Sequence, residues 1–292
     1  MSLPSTGVTL SLISQFLKLL RFCCVLGTLS AALLPDLAVA EVPRHFQGPL
    51  AFGVLNQQSP IQTAERWNPI LRYLQQKTGV EFTLKMGSTV EQTDAMMGRE
   101  EFDLVFTNHN FQARHDGKYA VLARWAGKPI HGVIVVTEDS TIRSINDLQD
   151  RMVAFPSPDA FVGYAVPTVA LRQAGVNITT RFAGTQEGAL AQLKARLVDA
   201  AAVNSRYLES YANRTGMHVR PVHLSEAFHE IPIVIHPRVP RRIAEQIRQA
   251  LLGMSVDPSA SPLLRDGRCP GFEMADEHDY DNVRHIYRLI EQ

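Results

Sequence analysis

The pattern that most limits what this chain can become is an alternation of short apolar runs with amphipathic helical stretches, kept up from Leu50 to the C-terminus. Residues 50–55 read as a buried strand. Ser59-Pro60-Ile61-Gln62 then opens a helix: Ser59 can cap, proline suits the first turn, and Gln62 completes a capping box. Trp67, Ile70, Leu71 and Leu74 recur at helical spacing, and Gly79 supplies the left-handed residue that ends the helix. A strand at 81–84 and a helix at 90–97, stopped at Gly98, come next. Residues 102–106 form a second buried strand with the polar turn Thr107-Asn108-His109-Asn110 at its end. Residues 121–125 and 133–137 read as two further strands.

The second half repeats the logic. Ser144-Ile145-Asn146-Asp147-Leu148 is a helix start with a capping box, and 152–155 is a strand. The turn Pro156-Ser157-Pro158-Asp159 feeds a helix over 161–174, closed by Gly175. A strand at 180–182 precedes a helix over 187–196 that places Leu190, Leu193 and Leu197 inside. Residues 200–203 are a strand, Asn204-Ser205 starts a short helix, and 231–235 is a strand. Pro240 opens a helix with Ile243, Ile247 and Leu251 on one face, and the last helix carries Val283, Ile286, Tyr287 and Ile290. Strands alternating with helices imply parallel sheet covered on both faces, with ligands bound beyond the C-terminal ends of the strands. No repeat or long polar linker divides the chain, so any boundary falls in strands that cross between halves.

The first forty residues stand apart. Lys18 and Arg21 precede an apolar stretch over 22–34, and Leu37-Ala38-Val39-Ala40 offers small residues at the two positions a signal peptidase reads. The stretch is shorter than the roughly 20 residues a bilayer span needs, so it reads as a signal peptide cleaved after Ala40 and places the mature protein in the periplasm. Cys23 and Cys24 leave with it. The mature chain keeps Cys269 alone and has no internal disulfide. Without Lys18, Arg21 and Asp36, 27 basic and 28 acidic residues remain, a net charge of −1. The charges are interspersed, so nothing draws the chain to nucleic acid.

Enzyme signatures are missing. His229-Glu230 lacks the second helical histidine of a zinc protease, and there is no G-x-x-x-x-G-K phosphate loop, G-x-S-x-G elbow or C-x-x-C pair. No catalytic residue and no cofactor is assigned.

The order of these segments carries a resemblance. Asn68-Pro69-Ile70-Leu71-Arg72-Tyr73-Leu74 with Thr78-Gly79-Val80, Met97-Gly98 through Phe102-Asp103-Leu104-Val105, Val153-Ala154-Phe155, Gly163-Tyr164 with Pro167, Val198-Asp199-Ala200-Ala201-Ala202-Val203 and Ile231-Pro232-Ile233-Val234-Ile235 stand in the sequence and spacing of one family. Over residues 50–254 the chain resembles the phosphate/phosphite/phosphonate-type periplasmic-binding proteins of ABC transporters, a branch of the type II solute-binding proteins. The resemblance implies an α/β fold of two lobes joined by two crossover strands, with a ligand cleft between them. It sets lobe one at 41–137 plus 233–292 and lobe two at 138–232. It also implies a monomer that captures a small ligand by hinge closure and hands it to a membrane permease. The same shape serves proteins that present a bound ligand to a membrane sensor kinase.

In that family a Ser-Thr-Ser run at the second lobe's first helix holds the anion; here those positions are Ala160, Phe161 and Val162, between Asp159 and Gly163. The helix amides remain while the hydroxyls are gone, which moves the expected ligand from phosphonate toward an oxyanion or a small polar or carboxylate compound. Phe161 and Val162 either wall the cleft or pack inward. Gln186 stands where the family tends to place a histidine. Lobe one is expected to contribute Asn56, Gln57, Thr107, Asn108, His109 and His131, lobe two Asn204 and Ser205, and the returning crossover Glu230. His109, His131 and His229 leave a metal-binding variant of the fold open. His115 reads as a solvated helix residue, so His109→Ala is expected to weaken binding more than His115→Ala.

Overall fold

The computed structural model describes residues 48–54, 59–106, 108–109, 111–112 and 114–292; the signal-peptide reading of residues 1–40 lies outside them. Two sheets organise these residues. The first contains β1 (Leu50–Val54), β2 (Phe82–Lys85), β3 (Leu104–Phe106), β4 (Ala120–Trp125), β10 (Pro232–Ile235) and β11 (Phe272–Glu273), in the order β11-β4-β10-β3-β1-β2. β1 runs parallel to β2 and β3, while β10 is antiparallel to its neighbours β3 and β4. The second sheet contains β5 (Gly132–Thr137), β6 (Met152–Phe155), β7 (Thr179–Phe182), β8 (Ala200–Asn204) and β9 (Val219–Leu224), in the order β7-β6-β8-β5-β9.

The strand at 132–137 corrects the expected boundary. The sequence places it at the end of the first lobe, but it pairs antiparallel with β8 and β9 in the second sheet. Its run Val133-Ile134-Val135-Val136 is buried on both faces, which demands a central position between two strands and helices above and below. The chain therefore leaves the first sheet after Trp125 and returns at Pro232. The two connecting stretches, 126–131 and 225–231, meet in a bridge between Ile130 and Phe228. β9 went unread in the sequence because Pro221 interrupts it; the strand sits at a sheet edge, where a missing N–H is tolerated.

The helices follow their caps. α1 (Pro60–Thr78) begins with the Ser59–Gln62 capping box and ends at Gly79, whose φ of 71° is the left-handed conformation glycine adopts freely. α2 (Val90–Gly98) lies between β2 and β3. In the second half, a single π-helical turn (Phe161–Ala165) runs into α3 (Val166–Gln173), followed by α4 (Gln186–Lys194) and α5 (Ser205–Thr215). Leu197, expected inside, is 55% exposed. α4 stops at Lys194 and Arg196 takes a left-handed φ of 56°, which breaks the helical period before Leu197. α6 (Arg241–Gly253), α7 (Ser261–Asp266) and α8 (Asp281–Ile290) complete the chain. Among the described residues no helix is long and apolar enough to cross a membrane.

Two apolar clusters fill the faces of the second sheet. A third is not confined to either sheet. It joins Phe102, Val105, Val121 and Val234 of the first sheet's side to Phe161, Val162, Val166 and Val169 of the second. Ile130 and Phe228 of the connecting stretches and Tyr280, Val283, Ile286 and Tyr287 near the C-terminus complete it. At Gly132 the π-helical turn lies close against the start of β5: a Cβ there would stand 2.5 Å from the Val162 carbonyl oxygen. Gly132→Ala must push backbone aside, and a loss of about 1–3 kcal/mol is expected, read as a lower thermal midpoint. An unchanged midpoint would mean that the turn is not held against β5.

Candidate functional site

In the second sheet β6 and β8 are parallel neighbours, and β5 starts where β8 ends. This topology gathers the residues that follow β6 and β8 with those that precede β5. Asn204, the last residue of β8, caps α5 by accepting from the Arg206 N–H at 2.9 Å, and its own N–H donates to Gln186 Oε1 at 2.7 Å. The Ser205 N–H donates to the His131 carbonyl at 3.0 Å, and its hydroxyl accepts from the His131 N–H at 3.1 Å. The His131 ring donates through Nδ1 to the Ser225 carbonyl at 2.9 Å. His131, Gln186, Asn204 and Ser205 are thus one hydrogen-bonded group. His131, expected from sequence on the first lobe, stands on the second sheet's side.

Next to this group lies the first turn after β6. Ala160 precedes the helical turn with extended backbone and no side-chain cap. The Tyr164 and Ala165 N–H groups both return to the Ala160 carbonyl, and the N–H groups of Phe161, Val162 and Gly163 donate to no described residue. Three amides at a helix start with no acceptor among the described residues form an anion-attracting pole. The side chains do not line an open wall. Phe161 and Val162 are 3% and 7% exposed and pack inward. The Phe161 ring lies 4.9 Å from His109, 5.0 Å from Phe228 and 5.2 Å from Tyr287, centroid to centroid.

The first sheet's strand ends meet this turn. Asn108 donates from Nδ2 to the Asp159 carbonyl at 3.4 Å. His109 is fully enclosed, and its Nε2 lies 2.6 Å from the His229 carbonyl. A carbonyl only accepts, so Nε2 carries the proton. Burial lowers the His109 pKa from 6.5 to about 4, the His229 carbonyl offsetting part of that, so the ring is neutral at pH 7. Asp159 has its carboxyl pushed up, first by burial and then by the charges of Asp94 and Glu91. The nearby cations are engaged: Arg114 pairs with Asp94 at 3.0 Å, and Arg206 pairs with Glu230 while donating to the Lys128 carbonyl at 2.8 Å. Glu230 is buried, which raises its carboxyl pKa against the pull of Arg206.

Of the residues expected at the site, Asn56, Gln57 and Thr107 lie outside the described residues. Asn108, His109, His131, Asp159, Ala160, Phe161, Val162, Gly163, Gln186, Asn204 and Ser205 fall around the junction just described. Glu230 is turned toward Arg206, which the sequence reading passed over although it directly follows Asn204-Ser205. Tyr280 and Tyr287 were also missed as junction residues: a helical stripe tells that a face is buried, not against what. His115 is a correction. It is 2% exposed, not solvated, and its Nε2 lies 2.7 Å from Asp94. The expected surface placement of His115 therefore fails, since both rings are enclosed. His109, His131 and His229 go to the His229 carbonyl, the Ser225 carbonyl and Asp279 respectively. Among the described residues no three His, Cys, Asp or Glu side chains converge to hold a metal ion.

Comparison with known proteins gives this architecture its relatives. No curated protein matches the chain. Among solved structures, XAC2383 from Xanthomonas citri bound to ATP superposes with a TM-score of 0.71 at 17% identity, covering 83% of this chain and 96% of its own. PhnD1 from Prochlorococcus marinus in complex with methylphosphonate gives 0.68 at 19% identity, covering 83% and 98%. A binding protein component of a phosphonate ABC transporter from Pseudomonas aeruginosa gives 0.65 at 15%, covering 83% and 87%. These likenesses establish the two-lobed type II binding-protein fold. The family model for the periplasmic substrate-binding protein of phosphonate ABC transporters matches residues 52–280. With most of the chain inside that match and its strand ends meeting as a binding fold requires, the protein belongs to the periplasmic substrate-binding proteins of phosphonate-type ABC transporters, which bind their substrates and are not enzymes.

Proposed function

We propose that the protein, freed of its first forty residues, works as a monomer in the periplasm. It takes one small ligand between its lobes and delivers it to a membrane permease. In this reading the second lobe is the continuous stretch 132–224, and the first lobe is built on the other sheet. The ligand is a small oxyanion or polar carboxylate compound carrying a single negative charge. The observation that carries this reading is the set of three amides at Phe161, Val162 and Gly163 that find no acceptor among the described residues, beside His131, Gln186, Asn204 and Ser205 and opposite Asn108. Backbone amides suit one anionic group. A doubly charged one would need free cationic or hydroxyl donors, and here Arg114 and Arg206 are already paired while Asp159 adds a carboxyl nearby.

A thermal-shift series tests this with acetate, lactate and methylphosphonate against sulfate at pH 7. A ligand at a hundred times its Kd stabilises by about 2.7 kcal/mol, so the midpoint rises by roughly 5–10 °C. A singly charged compound is expected to give that rise and sulfate a smaller one. A larger shift with sulfate overturns the charge assignment, and a flat response to every small ligand overturns the capture reading.

A further inference from the structure

The C-terminal helix α8 is fastened to one half of the molecule and grips the other. Just ahead of it, Tyr280 donates its hydroxyl to the Glu230 carbonyl at 2.7 Å and stacks on Phe111 with ring centroids 4.8 Å apart. Within it, Arg284 donates to Asp116 at 2.9 Å and lies 4.5 Å above the Phe111 ring. These contacts tie α8 to the loop between β3 and β4 and to the returning connection. Its apolar stripe is buried in the cluster shared with Val162, Val166 and Val169 of the second lobe. At its far end the helix leaves its last carbonyls without intrahelical partners. Arg172, from the end of α3, donates to two of them, Ile290 O at 3.2 Å and Leu289 O at 3.5 Å. A side chain of one lobe thus caps a helix belonging to the other.

Two lobes joined only by connecting strands can swing apart by bending those strands. α8 is bonded to residues of both halves, so either its contact with α3 has to part, or α8 has to leave its first-lobe anchors, whenever the lobes separate. We infer that α8 is a clamp between the lobes: by holding α3 it keeps the turn Phe161–Gly163 against Asn108 and His109 before any ligand arrives, and it sets how often the lobes open. Arg172 and the α8 stripe are then positioning elements for a binding helix they do not themselves extend to the ligand.

The test needs no ligand, so it stands or falls separately from the capture reading. Spin labels at Gln75→Cys on α1 and Ser210→Cys on α5, both exposed positions, report the distance between lobes in the mature chain carrying Cys269→Ser. The parent is expected to show one dominant short distance. Arg172→Ala and Ile286→Asp are each expected to raise the share of a longer component by roughly fivefold, the scale of losing a hydrogen-bonded contact. A disulfide between Val169→Cys and Leu289→Cys, residues that flank the same small gap, is expected to remove that component again in the Arg172→Ala background. If Ile286→Asp does not fold, the Arg172→Ala protein with and without the cross-link decides. An unchanged distance distribution in folded Arg172→Ala, or a longer component that survives the cross-link, overturns the clamp.

Discussion

Phe161→Ala is expected to cost about 3–5 kcal/mol of stability, the range for deleting a fully enclosed aromatic side chain, and to lower the thermal midpoint by roughly 6–20 °C. The ring is 3% exposed and sits among His109, Phe228 and Tyr287, which come from three separate parts of the chain. None of these neighbours can follow it inward without leaving a partner, because each is itself fixed: His109 on the His229 carbonyl, Phe228 in the bridge to Ile130, Tyr287 in α8. The cavity therefore stays open and the full penalty is felt. Circular dichroism melts of the two proteins measure it. A drop of less than about 2 °C would place the side chain at the solvent boundary, as a wall of the cleft, and would mean that the apolar junction does not extend to it.

Such a junction is the part of the molecule that sequence reading could not supply. The helices were legible wherever a cap and a period agreed: Ser59 with Gln62, Gly79 after Leu74, Gly175 after α3. Strands surrounded by helices were legible as apolar runs. The position of β5 was not, because a run buried on both faces looks the same in either sheet; only pairing distinguishes them. At the site, Asn204 and Ser205 announced themselves as helix-starting residues, and their side chains are indeed occupied in capping and in holding His131. His115 misled because one turn of polar sequence gives no sign that Asp94, twenty-one residues earlier, lies against it. The hydroxyls missing at 160–162 were evident in sequence; what replaces them energetically, packing across the lobes, was not.

The second large effect is a pH dependence. His109 is neutral when folded, with a pKa of about 4, against 6.5 for the exposed ring in the unfolded chain. Between these values the unfolded state takes up a proton that the folded state refuses. The stability from this group is complete above pH 6.5 and is lost as pH falls toward 4, for a total on the order of 3 kcal/mol. Asp159 and Glu230, whose carboxyl pKa values are raised, act in the opposite sense, and His223, lowered by burial, acts in the same sense. The decisive quantity is therefore a difference. His109→Gln keeps an N–H for the His229 carbonyl and removes the titration. Urea unfolding at pH 7.5 and pH 4.5 is expected to show the parent losing about 2–3 kcal/mol more than the variant over that interval. Parallel losses in the two proteins would mean that water reaches the ring in the folded state.

The path of the chain has a consequence for recombination between relatives. Because residues 132–224 enter and leave through only two junctions, they could be transplanted as one block to give a chimera with a new binding turn. Yet Val162, Val169 and Arg172 would arrive without the C-terminal helix they pack against here, since that helix is encoded after the block ends. A productive graft must therefore come in two pieces, the block and residues 281–290, and inheritance of ligand preference in such proteins should track both segments together.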